Sequence, residues 1–484
     1  RIMTSPTLTR RHDDGSRYLG AFARPADHSE GSVFSKLCEW LLKACVVLVP
    51  VLSAWASTKT IAGLPPIRIL AALLVVLAAV CRHRLSSVTQ VLLLLTLAWG
   101  CIGIALMKDV IGFKEVIGVV VGLLTMVAMT MVADSREWIV TVCRAWLLGM
   151  VVAIVPGILE VVTGRHLPNY REGSPAWIRT SATDIASFLV NPNLFAYFLA
   201  AGMIVMVVGW QLEDSRLMKA MYLGCTFVSF PLILLTGSRL TLLACLFIVA
   251  WLLLRSRVLA IVSAVLAAAA ALMIVVTGWL PRLLTIIGDI IHDLSSNSGR
   301  SRLAVYRDAG WMFVDSHGMG IGPGQFQTQV LWAPWPTRGT IDPHNGFVEV
   351  FLGYGLLLGV VLVALAAAVL WCSIRRQWAG DVDPVNRVLA EALTVSMLVI
   401  PVIALSNSSY LKNPVVWAQM ATVAVFCEFL RPGATAGLEE EFAGKCDADE
   451  SSRRTYLERR SRLVRGVVDR AQRPDTSRPD SSTG

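Results

Sequence analysis

Residue types able to do acid-base chemistry at a membrane surface converge on one stretch of this 484-residue chain. From Gly320 to Gly359 a Gly/Pro-rich polar loop passes into an apolar segment long enough to cross a bilayer. The junction reads Asp342-Pro343-His344-Asn345. Asp is a good N-cap and Pro suits the first helical position, so the pattern predicts a helix starting here with His344 in its first turn. The positive end of the helix dipole disfavours the imidazolium at that place, leaving the neutral imidazole that a general base near pH 7 needs. An interfacial histidine with no task would have the same local sequence, so other residues must separate the two readings.

Three arginines bear on that choice. Thr236-Gly237-Ser238-Arg239 is a very short connection between two apolar runs, which places Arg239 close to membrane depth. An arginine at that depth costs about 3 kcal/mol on insertion scales, which favours a buried anionic partner over simple snorkelling. Arg302 falls in the first turn of an amphipathic helix expected over 302–313, and Arg179 lies in the polar segment 163–190. Asn191-Pro192-Asn193 starts a further helix on the same side. Helix N-termini and guanidinium forks both suit phosphate oxygens, the fork bidentately. A diphosphate on a membrane lipid would lie at this depth, with arginines stabilising the charge that develops as it leaves. His344 would then take a proton from an attacking sugar hydroxyl. No His, Cys, Asp or Glu spacing suits a metal, so arginines would replace a divalent cation, and no cofactor is expected.

The elements that must position these groups follow from composition. The chain is 55% hydrophobic and 16% charged, with mean hydropathy +0.62. Those values fit an all-α integral membrane protein. Apolar runs at 37–57, 64–81, 87–107, 115–133, 138–162, 191–210, 220–236, 240–254, 258–279, 345–371, 388–406 and 412–430 predict about twelve transmembrane helices. A basic leader (1–36) precedes the membrane domain (37–430), and a tail (431–484) expected to be disordered follows it. Lys and Arg recur on every second connection, marking those loops and both termini as cytoplasmic. Segments 163–190 and 280–344 are then external, the second forming a long loop before the tenth span. The net charge of +9 follows this orientation pattern, so nucleic acid is not an expected partner. None of the ten cysteines lies in either long external segment, which argues against a disulfide-stapled outer domain.

Within 280–344 an apolar stripe over 283–294 suggests a helix lying on the membrane. Trp332 and Trp335 could stack on sugar faces or belong to an interfacial aromatic belt. Arg68, Glu115, Arg144 and Glu160, near span ends, are expected to snorkel.

At these same residues the chain resembles the O-antigen ligase/polymerase family of bacterial envelope proteins. The matching pieces are Asn191-Pro192-Asn193, Thr236-Gly237-Ser238-Arg239, Ser301-Arg302-Leu303 with Tyr306, Gly320-Ile321-Gly322-Pro323-Gly324, and Pro343-His344-Asn345 followed by Glu349 and Gly355–Gly359. Asp342 stands where many members have a second histidine, and Tyr306 where many have tryptophan. The resemblance implies a GT-C-like helical bundle and a metal-independent, inverting glycosyl transfer. The donor would be an undecaprenyl-diphosphate-linked glycan on the outer face of the cytoplasmic membrane. The acceptor would be a glycan, a lipid or a cell-wall component. By motif, Arg239 and Arg302 would bind diphosphate and His344 would be the base. Arg179, Asn193, Ser238, Asn345, Trp332 and Trp335 would contact substrate, and Glu349 could be structural. A transporter or flippase of lipid-linked saccharides is the alternative. The notable charges gather at outer span ends and in one outer loop, which favours surface chemistry over passage. Ligase and polymerase remain equally open.

Overall fold

In hydrocarbon, backbone N–H and C=O groups must be satisfied within their own segment, so long apolar runs become helices. The computed structural model describes residues 33–55, 65–82, 85–167, 185–255, 297–337, 339–378, 383–405 and 409–431, with single positions between 256 and 296. Helices α1 (Val33–Trp55), α2 (Pro66–Cys81), α3 (Ser87–Leu106), α4 (Val110–Val132), α5 (Arg136–Thr163), α6 (Pro192–Leu212), α7 (Arg216–Leu235) and α8 (Arg239–Arg255) come first. After them stand α9 (Asn297–Asp315), α10 (Gly346–Tyr354), α11 (Leu356–Trp378), α12 (Pro384–Ala404) and α13 (Pro414–Phe429). Among the described residues there is no strand. Among the described residues, eight helices are long and apolar enough to cross a membrane, and α2 and α13 are shorter apolar helices. The run 258–279 in the expected count of twelve lies outside the described residues apart from single positions. So do most of the leader, residues 168–184 with Arg179, the stripe at 283–294, and the tail beyond 431.

Helix α6 forms the axis of the bundle. A helix that is apolar all round must be buried all round, and every residue from Leu194 to Gly209 is buried, with Phe195, Ala196, Tyr197 and Phe198 fully so. It packs against α5, α7, α8 and α12.

Charge sorts the helix ends. Arg82, closing α2, reaches Glu39 of α1 at 2.8 Å and Asp134 beyond α4 at 3.3 Å. Arg144 forks onto Glu213 with both contacts at 2.9 Å, and Arg136 donates to the Leu212 carbonyl. Ser86 caps α3 and donates to Glu428 of α13. These contacts join connections that the Lys/Arg alternation assigns to one side, and they form one end of the bundle. The far end gathers the starts of α2, α4, α6, α10 and α13 with the 318–324 loop.

Two expectations need correction. Glu115 and Glu160 do not snorkel; they are 6% and 2% exposed. Buried carboxylates need partners. Glu160 accepts backbone N–H groups from Leu167, Ala186 and Ser187 at 2.8, 2.9 and 3.0 Å. It thereby pins the two chain segments that flank 168–184.

The tenth span is also not continuous. It breaks at Gly355, where φ is +89°, a left-handed conformation that glycine tolerates best. A Cβ there would lie 2.5 Å from the Met319 carbonyl oxygen. The Gly318 carbonyl accepts the Leu356 N–H at 2.8 Å, so the loop fills the break between α10 and α11. Gly164 has a similar φ of +64° but open space around its missing Cβ. Gly164→Ala should therefore cost about 1 kcal/mol of backbone strain, and Gly355→Ala about 3 kcal/mol or more. Unfolding titrations of the two variants in mixed micelles measure the difference.

Candidate active site

Three local devices bring α9 and α10 together. Val305, Ala309 and Met312 form one face of α9, and they pack with Ile321, Phe326, Val330 and Leu352 in a separate small apolar core. Asp308 is fully buried beside that face and accepts the Trp335 backbone N–H at 3.1 Å. Burial raises its pKa, and the Trp335 N–H partly offsets that rise. The Gly320–Gly324 turn supplies the third device. Ile321 donates to the Leu352 carbonyl at 2.7 Å. Gly322, at φ +107°, lies so close to α3 that a Cβ would meet the Leu106 oxygen at 2.4 Å.

Helix α10 begins later than Asp342-Pro343 predicts. Asn345 is its N-cap, accepting from the Phe347 and Val348 amides at 2.9 and 3.3 Å, and the first helical residue is Gly346. Asp342 does not cap because its carboxylate accepts from Gln327 Nε2 at 2.5 Å. His344 is therefore outside the helix, in the left-handed region at φ +47°. A non-glycine residue in that region carries strain of about 1–3 kcal/mol, a condition that concentrates at functional sites.

The neutral imidazole nevertheless holds, for a different reason from the one expected. His344 is half-buried, and burial pushes its pKa below the ordinary histidine value. The Asp342 carboxylate works against that fall, and the Arg302 guanidinium adds to it. Arg302 is exposed near the start of α9 and close enough to act on His344 electrostatically.

Behind Asp342 and Pro343 is a cleft lined by Glu115, Gly322, Gln327, Glu349 and Lys412 among others. Glu349 accepts the Tyr410 and Leu411 amides at 2.8 and 3.0 Å, which fixes the turn carrying Lys412. Lys412 reaches Glu115 at 3.3 Å, and the Tyr354 hydroxyl donates to the same carboxylate at 3.4 Å.

The other expected site residues are more dispersed. Arg239 opens α8 and is half-buried, after a turn in which Gly237 has φ +67°. Ser238 is buried; its amide donates to Thr236 Oγ1 and its hydroxyl shares a 3.0 Å hydrogen bond with Thr241. Asn193 is half-buried in the first turn of α6, where Asn191 caps its amide at 2.9 Å. Trp332 is 87% exposed and Trp335 36%. Arg179 lies outside the described residues.

Sequence reading passed over Lys412, Gln327 and Asp308. For Lys412 a signal existed: Asn413-Pro414 repeats the Asn191-Pro192 helix start, and Asn413 caps α13 by accepting the Val415 amide at 3.0 Å. Gln327 and Asp308 act through folded contacts and carried no local mark. Among the described residues, no group of three or more His, Cys, Asp or Glu side chains is arranged to hold a metal ion.

Residues 224–363 match the profile of a protein family described as O-Antigen ligase. That segment runs from α7 into α11, so it holds Arg239, Arg302, the 320–324 turn and His344. The chain is also 24% identical over 354 residues to the teichuronic acid biosynthesis protein TuaE of Bacillus subtilis (strain 168), covering 69% of this chain and 70% of that protein. These two likenesses support an O-antigen ligase/polymerase family for this multi-pass membrane protein.

Proposed function

We propose that the protein is a glycosyltransferase acting on an undecaprenyl-diphosphate-linked glycan. It transfers the glycan to an acceptor hydroxyl at the far end of the bundle, which we assign to the outer face of the cytoplasmic membrane. Both termini are then cytoplasmic. The observation that carries this reading is His344 itself: strained, half-buried, held neutral, and within the field of an exposed arginine.

The steps follow from ordinary displacement chemistry. An imidazole nitrogen of His344 accepts the acceptor's hydroxyl proton. The oxygen attacks the anomeric carbon from the face opposite the diphosphate, and a new C–O bond forms. The bond between that carbon and the diphosphate oxygen breaks, its electron pair leaving with the diphosphate. Arg302 and Arg239 receive the developing negative charge, with Arg179 and Asn193 as further donor contacts. A single displacement inverts the anomeric configuration, and the arginines do the work that a divalent cation does elsewhere. Ser238 and Asn345, whose side chains are taken up by local hydrogen bonds, serve by placing Arg239 and His344. Trp332 and Trp335 offer ring faces to the sugars. The acceptor is a glycan repeat, a lipid or a cell-wall component.

Two tests bear on these roles. Because His344 must be neutral to accept a proton, kcat/KM falls on acidification through a pKa below the ordinary value of about 6.5. Asp342→Asn removes the carboxylate that raises this pKa, so the acid limb should move to lower pH. Arg302→Gln should move it to higher pH while also lowering the rate. An acid limb that stays fixed in both variants would remove His344 as the titrating group. Arg239→Lys keeps the charge but loses the fork, and should lower turnover about tenfold or more. Near-normal turnover in that lysine variant would refute bidentate phosphate binding.

A further inference from the structure

A second cavity lies beside the cleft behind Asp342 and Pro343, and nothing in the mechanism above uses it. It occupies ≈ 390 Å³ between the far-end portions of α1, α2, α4, α6 and α13, within the size range of small-molecule sites. Its charge is one-sided. Arg68 and Lys412 line it, and no Asp or Glu does. Lys412 is shared with Glu115 at 3.3 Å, whereas no carboxylate among the described residues pairs with Arg68. A half-buried arginine on an apolar helix is costly, and such residues mark functional paths. The starts of α6 and α13, at Asn191 and Asn413, add their positive ends to the same wall.

The walls are built to keep this space open and aromatic. A Cβ on Gly122 would fall 2.1 Å from the Trp417 ring, so the indole lies directly on the α4 backbone. Its Nε1 is fixed to the Leu411 carbonyl at 2.9 Å. One turn away, a Cβ on Gly118 would press to 3.3 Å from an Arg68 guanidinium nitrogen. Two glycines on one face of α4 thus admit the cation and the ring side by side. Ser409 and Lys412 line both this cavity and the cleft behind Asp342, so the two spaces share a wall.

We propose that this cavity is a subsite for an acidic sugar of the glycan, its carboxylate held by the Arg68 fork and Lys412 and its ring against Trp417. The proposal rests on the glycosyl-transfer reading, because the shared wall borders the cleft behind Asp342 and Pro343, the two residues before His344. A guanidinium fork matches a carboxylate bidentately, and an indole face suits the apolar face of a pyranose. The subsite would then select acidic glycans over neutral ones before any bond is made.

Binding, measured without turnover, tests this separately from catalysis. Full-length His344→Ala protein in phosphatidylcholine nanodiscs would be titrated with a hexuronate-containing tetrasaccharide and with its carboxyl-reduced counterpart. The acidic form should bind at least tenfold tighter, with the preference weakening as salt rises. Arg68→Gln should abolish the preference, and Arg68→Lys should restore it only in part. Lys412→Gln provides a second variant if Arg68→Gln does not fold. Equal affinity for the two saccharides, or a preference unchanged in a folded Arg68→Gln or Lys412→Gln protein, would overturn the subsite. Displacement of the acidic saccharide by phosphatidylglycerol in the disc would also overturn it, assigning the cavity to a lipid headgroup. An acidic preference in a protein that transfers no glycan would sink the transferase reading while leaving the subsite in place.

Discussion

The contact between the Gly318–Gly324 backbone and the break at Gly355 is the constraint on which the site depends. Backbone meets backbone there with no room for a side chain, and the Leu356 amide is satisfied by Gly318 across the gap. The break separates the short helix α10 from the membrane-crossing α11. It frees α10 to carry His344 at its threshold and Glu349 on its first turn. Through Glu349 the same short helix fixes the turn that bears Lys412, and through Leu352 it joins the apolar core beneath α9. A continuous helix over 345–371 would leave the loop no seat.

Much of this was legible in the chain. Long apolar runs could only become helices, and alternating Lys/Arg connections grouped the helix ends as the ion pairs later do. The Asn191-Pro192 start stands where its pattern puts it, whereas the helix expected over 302–313 already begins at Asn297, which moves Arg302 out of its first turn. The failures have a common cause. Asp342-Pro343 and Asn345 offer competing caps three residues apart, and local preference cannot say that Gln327 will claim Asp342. The break at Gly355 comes from a loop 35 residues earlier in the chain, invisible to periodicity. Glu115 and Glu160 read as interfacial because Lys412, the partner of Glu115, and the Ala186 and Ser187 amides that Glu160 accepts are distant in sequence.

Electrostatically, the far end carries cations in two settings. Arg302 lies open beside His344 and helps keep the imidazole neutral. Arg68 and Lys412 line a second space one wall away. A neutral base next to cations suits a reaction in which a proton goes to nitrogen while negative charge departs toward guanidinium groups. Envelope polysaccharide ligation or polymerisation, which the family likeness supports, is chemistry of that kind.

The central claim is that His344 is the base in glycosyl transfer from a lipid diphosphate. The most direct measurement is release of undecaprenyl diphosphate by purified protein in lipid, with EDTA present and a mixture of acceptors supplied. Wild type should release it and His344→Ala should not, with product size then separating ligase from polymerase. Equal release by both proteins would contradict the account.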